Sequence, residues 1–519
     1  MRVKKIISSI AEPLAHIFNL SIQTGCVPDT YKIAKVIPIF KAGNKQDPNN
    51  YRPISLLPAF SKILEKIVYN RLIHFLNQCD LVYPRQYGFL RGRSTEQAML
   101  DIIHQISNAI EGKSLTLGLF LDLSKAFDSI PHDILIRKLY RYGIRGISND
   151  WFKLYLSNRS QFVQTNSRYS SYKSVTFGVP QGSVLGPLLF LLYVNDMPTV
   201  SSIIDFILFA DDTTCLYNSA DLDDLYLTLD NEIKKLEKWF SANKLLLNAS
   251  KSNLILFTTR QKFQHISLQD RHFVSLNSCI IKCTSEVKFL GIFLDKNLNF
   301  NSHLKHVGLK ITKALFALKR SAKILSSNML KTLYSALILP YLNYGLLIWG
   351  GSCKLQSKYK QLDKGESSNP MGPLSRIHSL QKQSIRVIAR AGYTDHHIPL
   401  CYDLCILDLP DLYNVKAMSL FYDFFHGLLP SSLSNLFHIK YNASNNIILT
   451  ISCRRTNIAA SSISHTLPGI WNPLPDDLKQ LINKSKGTFI SSIKSFYISR
   501  YKDWKCMTTD CYSCKKSAR

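Results

Sequence analysis

The sequence predicts an α+β fold on three observations. Two strand-like apolar runs, Leu117–Leu121 and Phe206–Phe209, each lead into carboxylates, Asp122 in the first case and Asp211 with Asp212 in the second. Segments with helical spacing of apolar residues, among them Leu222–Asn243 and His303–Leu325, follow those runs. Hydrophobic residues make up 46% of the 519-residue chain, which supports large packed cores and excludes a mainly disordered basic tail. That length implies roughly two to four domains.

The elements can be justified in order. Ser61–Gln78 reads as an amphipathic helix with Ile63, Ile67, Leu72 and Leu76 on one face. After the run ending at Asp122, the chain is compatible with helix as far as Tyr142. Asp128, Ser129 or Asp133 would cap that helix, with Pro131 tolerated in its first turn, so neither Asp128 nor Asp133 is expected to be a ligand. In Phe177-Gly-Val-Pro-Gln-Gly-Ser-Val-Leu-Gly-Pro-Leu-Leu-Phe190, glycines and prolines punctuate a turn before an apolar helix. Gly178 and Gly182 would let backbone approach a ligand closely.

The run Phe206-Ile-Leu-Phe-Ala-Asp-Asp212 is followed at once by a second apolar run to Tyr217, so the two acids are expected at the turn of a hairpin. An acidic pair alone reads as an exposed turn. The order along the chain changes that reading: an acid, a glycine-rich turn holding a glutamine, then paired acids. If strands deliver Asp122, Asp211 and Asp212 to one sheet edge, they offer hard oxygen ligands to Mg²⁺, which retains waters for a substrate's phosphates to replace. Two such ions stabilise the attacking and leaving oxygens of an in-line displacement, and the expected chemistry is nucleotidyl transfer.

Asn253–Phe257 and Val287–Phe293 resemble strands. From His303 to Leu325, Leu304, Val307, Ile311, Leu315, Leu318, Ala322 and Leu325 keep helical spacing among Lys305, Lys310, Lys313, Lys319, Arg320 and Lys323. Leu333–Trp349 is apolar, but Pro340, Asn343 and Gly345 interrupt it, so no membrane span is expected. Ser357–Leu374 looks like a linker, Ile377–Arg386 begins another amphipathic helix, and His396 and His397 read as polar surface. The cysteines are scattered, mostly within apolar runs, and read as buried reduced thiols. Cys506, Cys511 and Cys514 have zinc-like spacing in part, yet no fourth Cys or His follows before Arg519, so zinc is not expected there. No signal peptide is expected over Met1–Ile10, which has basic residues but no sustained apolar core or small-residue cleavage pattern.

The charge balance points to a polyanion. There are 64 Lys plus Arg against 36 Asp plus Glu, a formal charge of +28. Binding to nucleic acid should weaken steeply with salt.

The ordered motifs resemble the palm of reverse transcriptases, and their details are similar to the Jockey-like, LINE-type retrotransposons that lack long terminal repeats. Ala126-Phe-Asp128, Gly178-Val-Pro-Gln-Gly-Ser183 and Phe209-Ala-Asp-Asp212 match the three central motifs. Val36-Ile-Pro-Ile-Phe-Lys-Ala-Gly43 and Asn50-Tyr-Arg-Pro-Ile-Ser-Leu-Leu57 resemble the fingers. Leu247-Asn-Ala-Ser-Lys-Ser252 and Lys288-Phe-Leu-Gly291 resemble the motif after the paired acids and the primer grip. Trp471-Asn-Pro-Leu-Pro475 resembles a short signature found late in related proteins.

The resemblance implies a right-hand polymerase: N-terminal extension and fingers over 1–115, a split β-α-β palm over 116–295 and a helical thumb over 296–356. A linker at 357–374 and a mainly helical C-terminal region, 375–519, of unassigned role would follow. It implies that Asp122, Asp211 and Asp212 hold two Mg²⁺ ions, with Mn²⁺ as an alternative, and that Lys251 protonates pyrophosphate. Lys41 and Arg52 would contact the triphosphate, Phe127 would crowd the sugar 2′ position, and Gln181 and Gly182 would lie near the incoming nucleotide. Phe289, Leu290 and Gly291 would form the primer grip. The expected activity is RNA-directed DNA synthesis on an RNA template from a DNA primer with deoxynucleotides. The expected place is intracellular, in a cytoplasmic ribonucleoprotein or the nucleus. The chain starts almost at the fingers, so an N-terminal endonuclease is expected to be lacking. The alternative is a catalytically silent nucleic-acid-binding remnant of a retroelement.

Overall fold

The computed structural model describes residues 2–504 apart from 125, 166–167, 265, 267–271, 277–278, 352–372, 443–445 and 452. Cys506, Cys511 and Cys514 lie outside the described residues, as does the expected linker up to residue 372; its last two positions, Pro373 and Leu374, already belong to a helix.

The strands that build the site are β1 (Ile33–Phe40), β2 (Tyr51–Leu56), β3 (Leu115–Leu121), β4 (Arg159–Thr165), β5 (Lys173–Val175), β6 (Asp205–Phe209), β7 (Asp212–Ser219), β8 (Asn253–Phe257), β9 (Glu286–Phe289) and β10 (Ile292–Asp295). Four of them form an antiparallel sheet in the order β8-β3-β7-β6. All of β3 is buried, as its position inside the sheet and its Leu-rich sequence demand. Gly118 sits at its middle because the Phe257 ring lies 3.0 Å from where a β-carbon would be. A second sheet joins β2, β1 and β4, with β5 against β4. Strand β4, expected within the palm by chain position, thus pairs with a finger-like strand: it runs parallel to β1, with Ile33 opposite Ser160, and β5 adds to its other edge.

Helices cover both faces of the first sheet. Helix α1 (Ala59–Gln78) buries Ser61, Leu64, Glu65, Leu72 and Leu76, while the expected Ile63 and Ile67 are only half-buried. The correction has a physical cause: the helix turns a polar pair, Ser61 and Glu65, inward to hold a neighbouring loop. Helix α2 (Thr95–Glu111) begins with a full capping box between Ser94 and Gln97 and puts Ile102, Ile106 and Ile110 into one core with Phe120. Helix α3 (His132–Arg141) has Pro131 as its N-cap residue and no side-chain cap, so the expected capping by Asp128, Ser129 or Asp133 does not occur. Ser129 Oγ donates instead to the Ala126 carbonyl at 3.3 Å. Helix α4 (Gly186–Val194) is apolar and almost wholly buried. Helix α5 (Leu222–Ala242) places Leu225, Leu229, Ile233, Leu236 and Phe240 in the opposite core, with Leu117, Leu119 and Leu121. Each such burial stabilises by about 1.5–3 kcal/mol.

Helix α6 (Asn301–Ser321) buries Leu304, Val307, Ile311, Leu315 and Leu318 and exposes Lys305, Lys310, Lys313, Lys319 and Arg320. The apolar stretch after it breaks into Ser327–Leu337, Leu339–Asn343 and Leu346–Trp349, and no helix among the described residues is long and apolar enough to cross a membrane. The C-terminal part, with α7 (Pro373–Ala389), α8 (His397–Asp403), α9 (Leu409–Phe425) and α10 (Lys486–Ser499), shares one continuous core with α6 and with Phe120 of the central sheet. Trp471 is fully buried and donates its indole N–H to the Ile447 carbonyl at 3.0 Å, while Asn472 pairs twice with Leu449. The Trp-Asn signature is therefore structural. Of the described cysteines, Cys215 and Cys401 are buried, whereas Cys26, Cys79, Cys279, Cys405 and Cys453 are exposed, against expectation.

Candidate active site

The central sheet delivers the acids to one end. Leu121 pairs with Thr213, so Asp122, one residue on, comes level with Asp212 at the start of β7. Phe209 pairs with Asp212, which makes Ala210 and Asp211 the turn residues. The expected turn was Asp211-Asp212, and the correction has a visible cause: Ala210 takes a left-handed φ of +58°, leaving Asp212 in the ladder.

Two neighbouring segments hold this end in shape. Asn248 N–H donates to the Asp122 carbonyl at 2.9 Å, and Asp122 N–H reaches Ser252 Oγ at 3.4 Å. Gln86 Oε1 accepts from Gly88 N–H at 2.8 Å and from Ala210 N–H at 3.1 Å. The same segment extends the sheet beside β6: Tyr87 N–H donates to the Leu208 carbonyl at 2.7 Å, and Leu208 N–H to the Arg85 carbonyl at 2.9 Å. Gly88 is required, because a β-carbon there would lie 2.4 Å from the Ala210 nitrogen. The sequence reading missed Gln86 and Gly88; the glycine in Gln86-Tyr-Gly-Phe89 was the available signal.

Electrostatically the site asks for cations. Burial, then the charges of Asp211 and Asp122, push the Asp212 carboxyl up to about 6, with Lys41 opposing. Asp211 is raised too, by burial first and then by Asp122, against its own backbone N–H and the charges of Arg52 and Lys41. Among the described residues, the one group of three His, Cys or acidic side chains with ligand atoms all within 4.8 Å of one another lies elsewhere, so these three carboxylates face a common space without closing on it. Half-buried, mutually repelling oxygen donors are the donor set a hard divalent ion requires.

Lys41 and Arg52 reach this space from the β1–β2 hairpin, where Ile39 pairs with Arg52 and Lys41 N–H donates to the Asn50 carbonyl at 2.8 Å. Both side chains are exposed. Lys251 Nζ stands 4.0 Å from Asp122 Oδ2. Phe127 is half-buried, stacked on Phe190 at 4.7 Å with Phe89 edge-on at 5.9 Å, so its ring is held on two sides.

The glycine-rich turn docks on β2: Ser55 N–H donates to the Gln181 carbonyl at 2.7 Å. At Gly182, φ is +117° and a β-carbon would lie 2.5 Å from the Ser55 carbonyl oxygen. Gln181 Nε2 lies 3.4 Å from both Asp128 carboxylate oxygens. Behind the turn, the buried Glu65 accepts from Val184 N–H at 2.6 Å and Leu185 N–H at 3.3 Å, a contact the sequence reading missed because it spans over a hundred residues.

The expected strand over Val287–Phe293 is a hairpin whose turn is Leu290 and Gly291, at φ +42° and +82°. Phe289 is buried against Phe120 at 5.1 Å and so anchors the hairpin instead of presenting a surface. Leu290 and Gly291 remain accessible. Because Phe120 precedes Asp122 by two residues on β3, this contact ties the hairpin to the acid end of the sheet.

These acids lie at the end of an antiparallel sheet flanked by a basic hairpin and a glycine-rich turn, an arrangement similar to a polymerase palm. Residues 41–294 match the reverse transcriptase (RNA-dependent DNA polymerase) family model. The chain is 29% identical over 416 residues to the probable RNA-directed DNA polymerase from transposon X-element of Drosophila melanogaster, covering 78% of this chain and 43% of that protein. It is 30% identical over 392 residues to the RNA-directed DNA polymerase from mobile element jockey of the same species, covering 73% of this chain and 40% of that one. The chain thus spans about two fifths of the length of the curated relatives it matches.

Proposed function

We propose that the chain is an RNA-directed DNA polymerase of a non-long-terminal-repeat retrotransposon, extending a primer 3′-hydroxyl with deoxynucleotides and releasing pyrophosphate. The convergence of Asp122, Asp211 and Asp212 on one sheet end, with the Asp212 carboxyl raised to about 6, carries the proposal. Two Mg²⁺ ions, or Mn²⁺, held by these carboxylates would supply charge stabilisation for the attacking and leaving oxygens.

The remaining side chains bind and orient. Lys41 and Arg52 face the triphosphate as point charge and planar fork, Gln181 and Gly182 line the nucleotide pocket, and the braced Phe127 ring disfavours a 2′-hydroxyl. Lys251, whose Nζ stands 4.0 Å from Asp122 Oδ2, would give a proton to pyrophosphate. Leu290 and Gly291 meet the primer strand, with Phe289 as their anchor. The basic face of α6 follows the duplex backbone. On this reading β1, β2 and β4 are fingers, the four-stranded sheet is palm and α6 begins the thumb. On this reading the protein acts inside the cell, in a cytoplasmic ribonucleoprotein or the nucleus.

The test is primer extension on an RNA template with Mg²⁺. Wild-type protein should extend, and Asp211→Asn should lose extension while still binding the primer–template. Binding with no metal-dependent extension by wild-type protein would favour the catalytically silent remnant, and full extension by Asp211→Asn would reject the assigned site.

A further inference from the structure

The geometry points to a Zn²⁺ site in the C-terminal region, formed by His378, His397 and Asp408 and far from the polymerase acids in sequence. Their ligand atoms all lie within 4.8 Å of one another. His378 Nε2 is 2.6 Å from Asp408 Oδ1, and His397 Nε2 is 3.5 Å from the same oxygen. The two imidazole rings meet edge to face, 5.8 Å between centroids at 83°. His397 was expected on the surface as a polar residue, yet its side chain is only 14% exposed and that of Asp408 only 1%.

Two further observations separate this arrangement from an ordinary buried histidine–aspartate pair. His397 Nε2 is closed off from solvent and stands 3.5 Å from Asp408 Oδ1, at the outer limit of a hydrogen bond. Asp408 stands at the N-cap of the 17-residue helix α9, where its carboxylate would ordinarily accept from the first backbone N–H groups, but it makes no capping bond and turns to the imidazoles. The backbone around it is fixed independently, because Asp408 N–H donates to Tyr501 Oη at 3.0 Å and that hydroxyl donates to Asp411 Oδ2 at 2.6 Å.

Two neutral imidazole nitrogens and one carboxylate oxygen would give Zn²⁺ three protein ligands, with the fourth supplied by a water carried in with the ion. Bond lengths near 2.0–2.1 Å in a tetrahedron put ligand atoms roughly 3.3 Å apart. The His397–Asp408 spacing is already close to that, and the His378–Asp408 pair would part by well under an ångström. The ligands come from α7, from the first residue of α8 and from the entry to α9, so one ion would tie three consecutive elements together. Bound there, the ion would add to the shared core in holding the C-terminal helices against α6.

The experiment uses the full chain, dialysed against chelator and then against a limiting excess of Zn²⁺, with bound metal measured by mass spectrometry. One Zn²⁺ per chain should remain on wild-type protein, on Asp211→Asn and on a Cys511→Ser, Cys514→Ser double variant. His378→Gln and His397→Gln, each checked for native circular dichroism, should bind about 10–100-fold more weakly. Wild-type protein should also melt higher with Zn²⁺ than with chelator, and that increment should be absent from His397→Gln. Should the histidine variants fail to fold, Co²⁺-substituted wild-type protein decides: visible bands of a four-coordinate ion with no thiolate charge-transfer band are expected. A thiolate band, no retained metal, or loss of metal in the cysteine variant with retention in His397→Gln would overturn the assignment.

Discussion

Gln86 holds the Ala210 turn from behind: its side-chain oxygen accepts the Ala210 N–H at 3.1 Å while also accepting Gly88 N–H at 2.8 Å. Ala210 is in a left-handed conformation next to Asp211, so this one amide fixes the backbone that aims a proposed metal ligand. Replacing it with leucine leaves two buried N–H groups unpaired, a loss of about 1–3 kcal/mol. Gln86→Leu should therefore lower kcat for primer extension by roughly 10–100-fold with little change in primer–template affinity. Unchanged kcat in a folded variant would show that the turn holds itself.

Close backbone approach makes two glycines irreplaceable. A β-carbon at Gly88 would meet the Ala210 nitrogen at 2.4 Å, and one at Gly182 would meet the Ser55 carbonyl at 2.5 Å in a backbone conformation that disfavours other residues. Gly88→Ala and Gly182→Ala should each destabilise by about 1–3 kcal/mol in denaturant unfolding. Stability within a few tenths of wild type would contradict the packing of these segments.

Asp212 gives a pH dependence with a definite sign. Its folded carboxyl is raised to about 6, above the roughly 3.9 of an unfolded aspartate. The folded state then holds the proton more tightly, so this group favours folding below about pH 4, and that contribution is lost as the pH rises through 6. In chelator, Asp212→Asn should melt higher than wild-type protein at pH 7.5, with the gap closing toward pH 4. Added Mg²⁺ should narrow the gap at pH 7.5 by neutralising the ionised carboxylates. A gap that widens on acidification would show that Asp212 is not destabilised by burial and its neighbours.

Glu65 supports the glycine-rich turn from α1. Burial raises its pKa, and hydrogen bonds from the Val184 and Leu185 N–H groups act against that rise. Glu65→Gln keeps an oxygen acceptor, whereas Glu65→Leu keeps none. The leucine variant should lose about 1–3 kcal/mol of stability and the glutamine variant clearly less, as read from urea midpoints. Equal losses would mean that the carboxylate's charge, and not its acceptor geometry, matters there.

The local elements, and the residues of the candidate site, were legible in the sequence. Alternation and apolar runs placed β3, β6, β7 and β8, and helical spacing placed α5 and α6, because each is a pattern within a few dozen residues, while the order of Asp122, the Gln181-Gly182 turn and Asp211-Asp212 pointed to the candidate site. Tertiary structure alone decided what depends on contacts between distant segments. It assigned the hairpin turn to Ala210-Asp211 through the Gln86 clamp, turned Ser61 and Glu65 inward to meet a loop over a hundred residues away, joined Arg159–Thr165 to β1, and made Phe289 an anchor. It also brought His378, His397 and Asp408 together, although no spacing rule links them. Periodicity reports which face of an element is apolar; which partner that face meets is fixed only when hydrogen bonds and packing between remote segments are satisfied together.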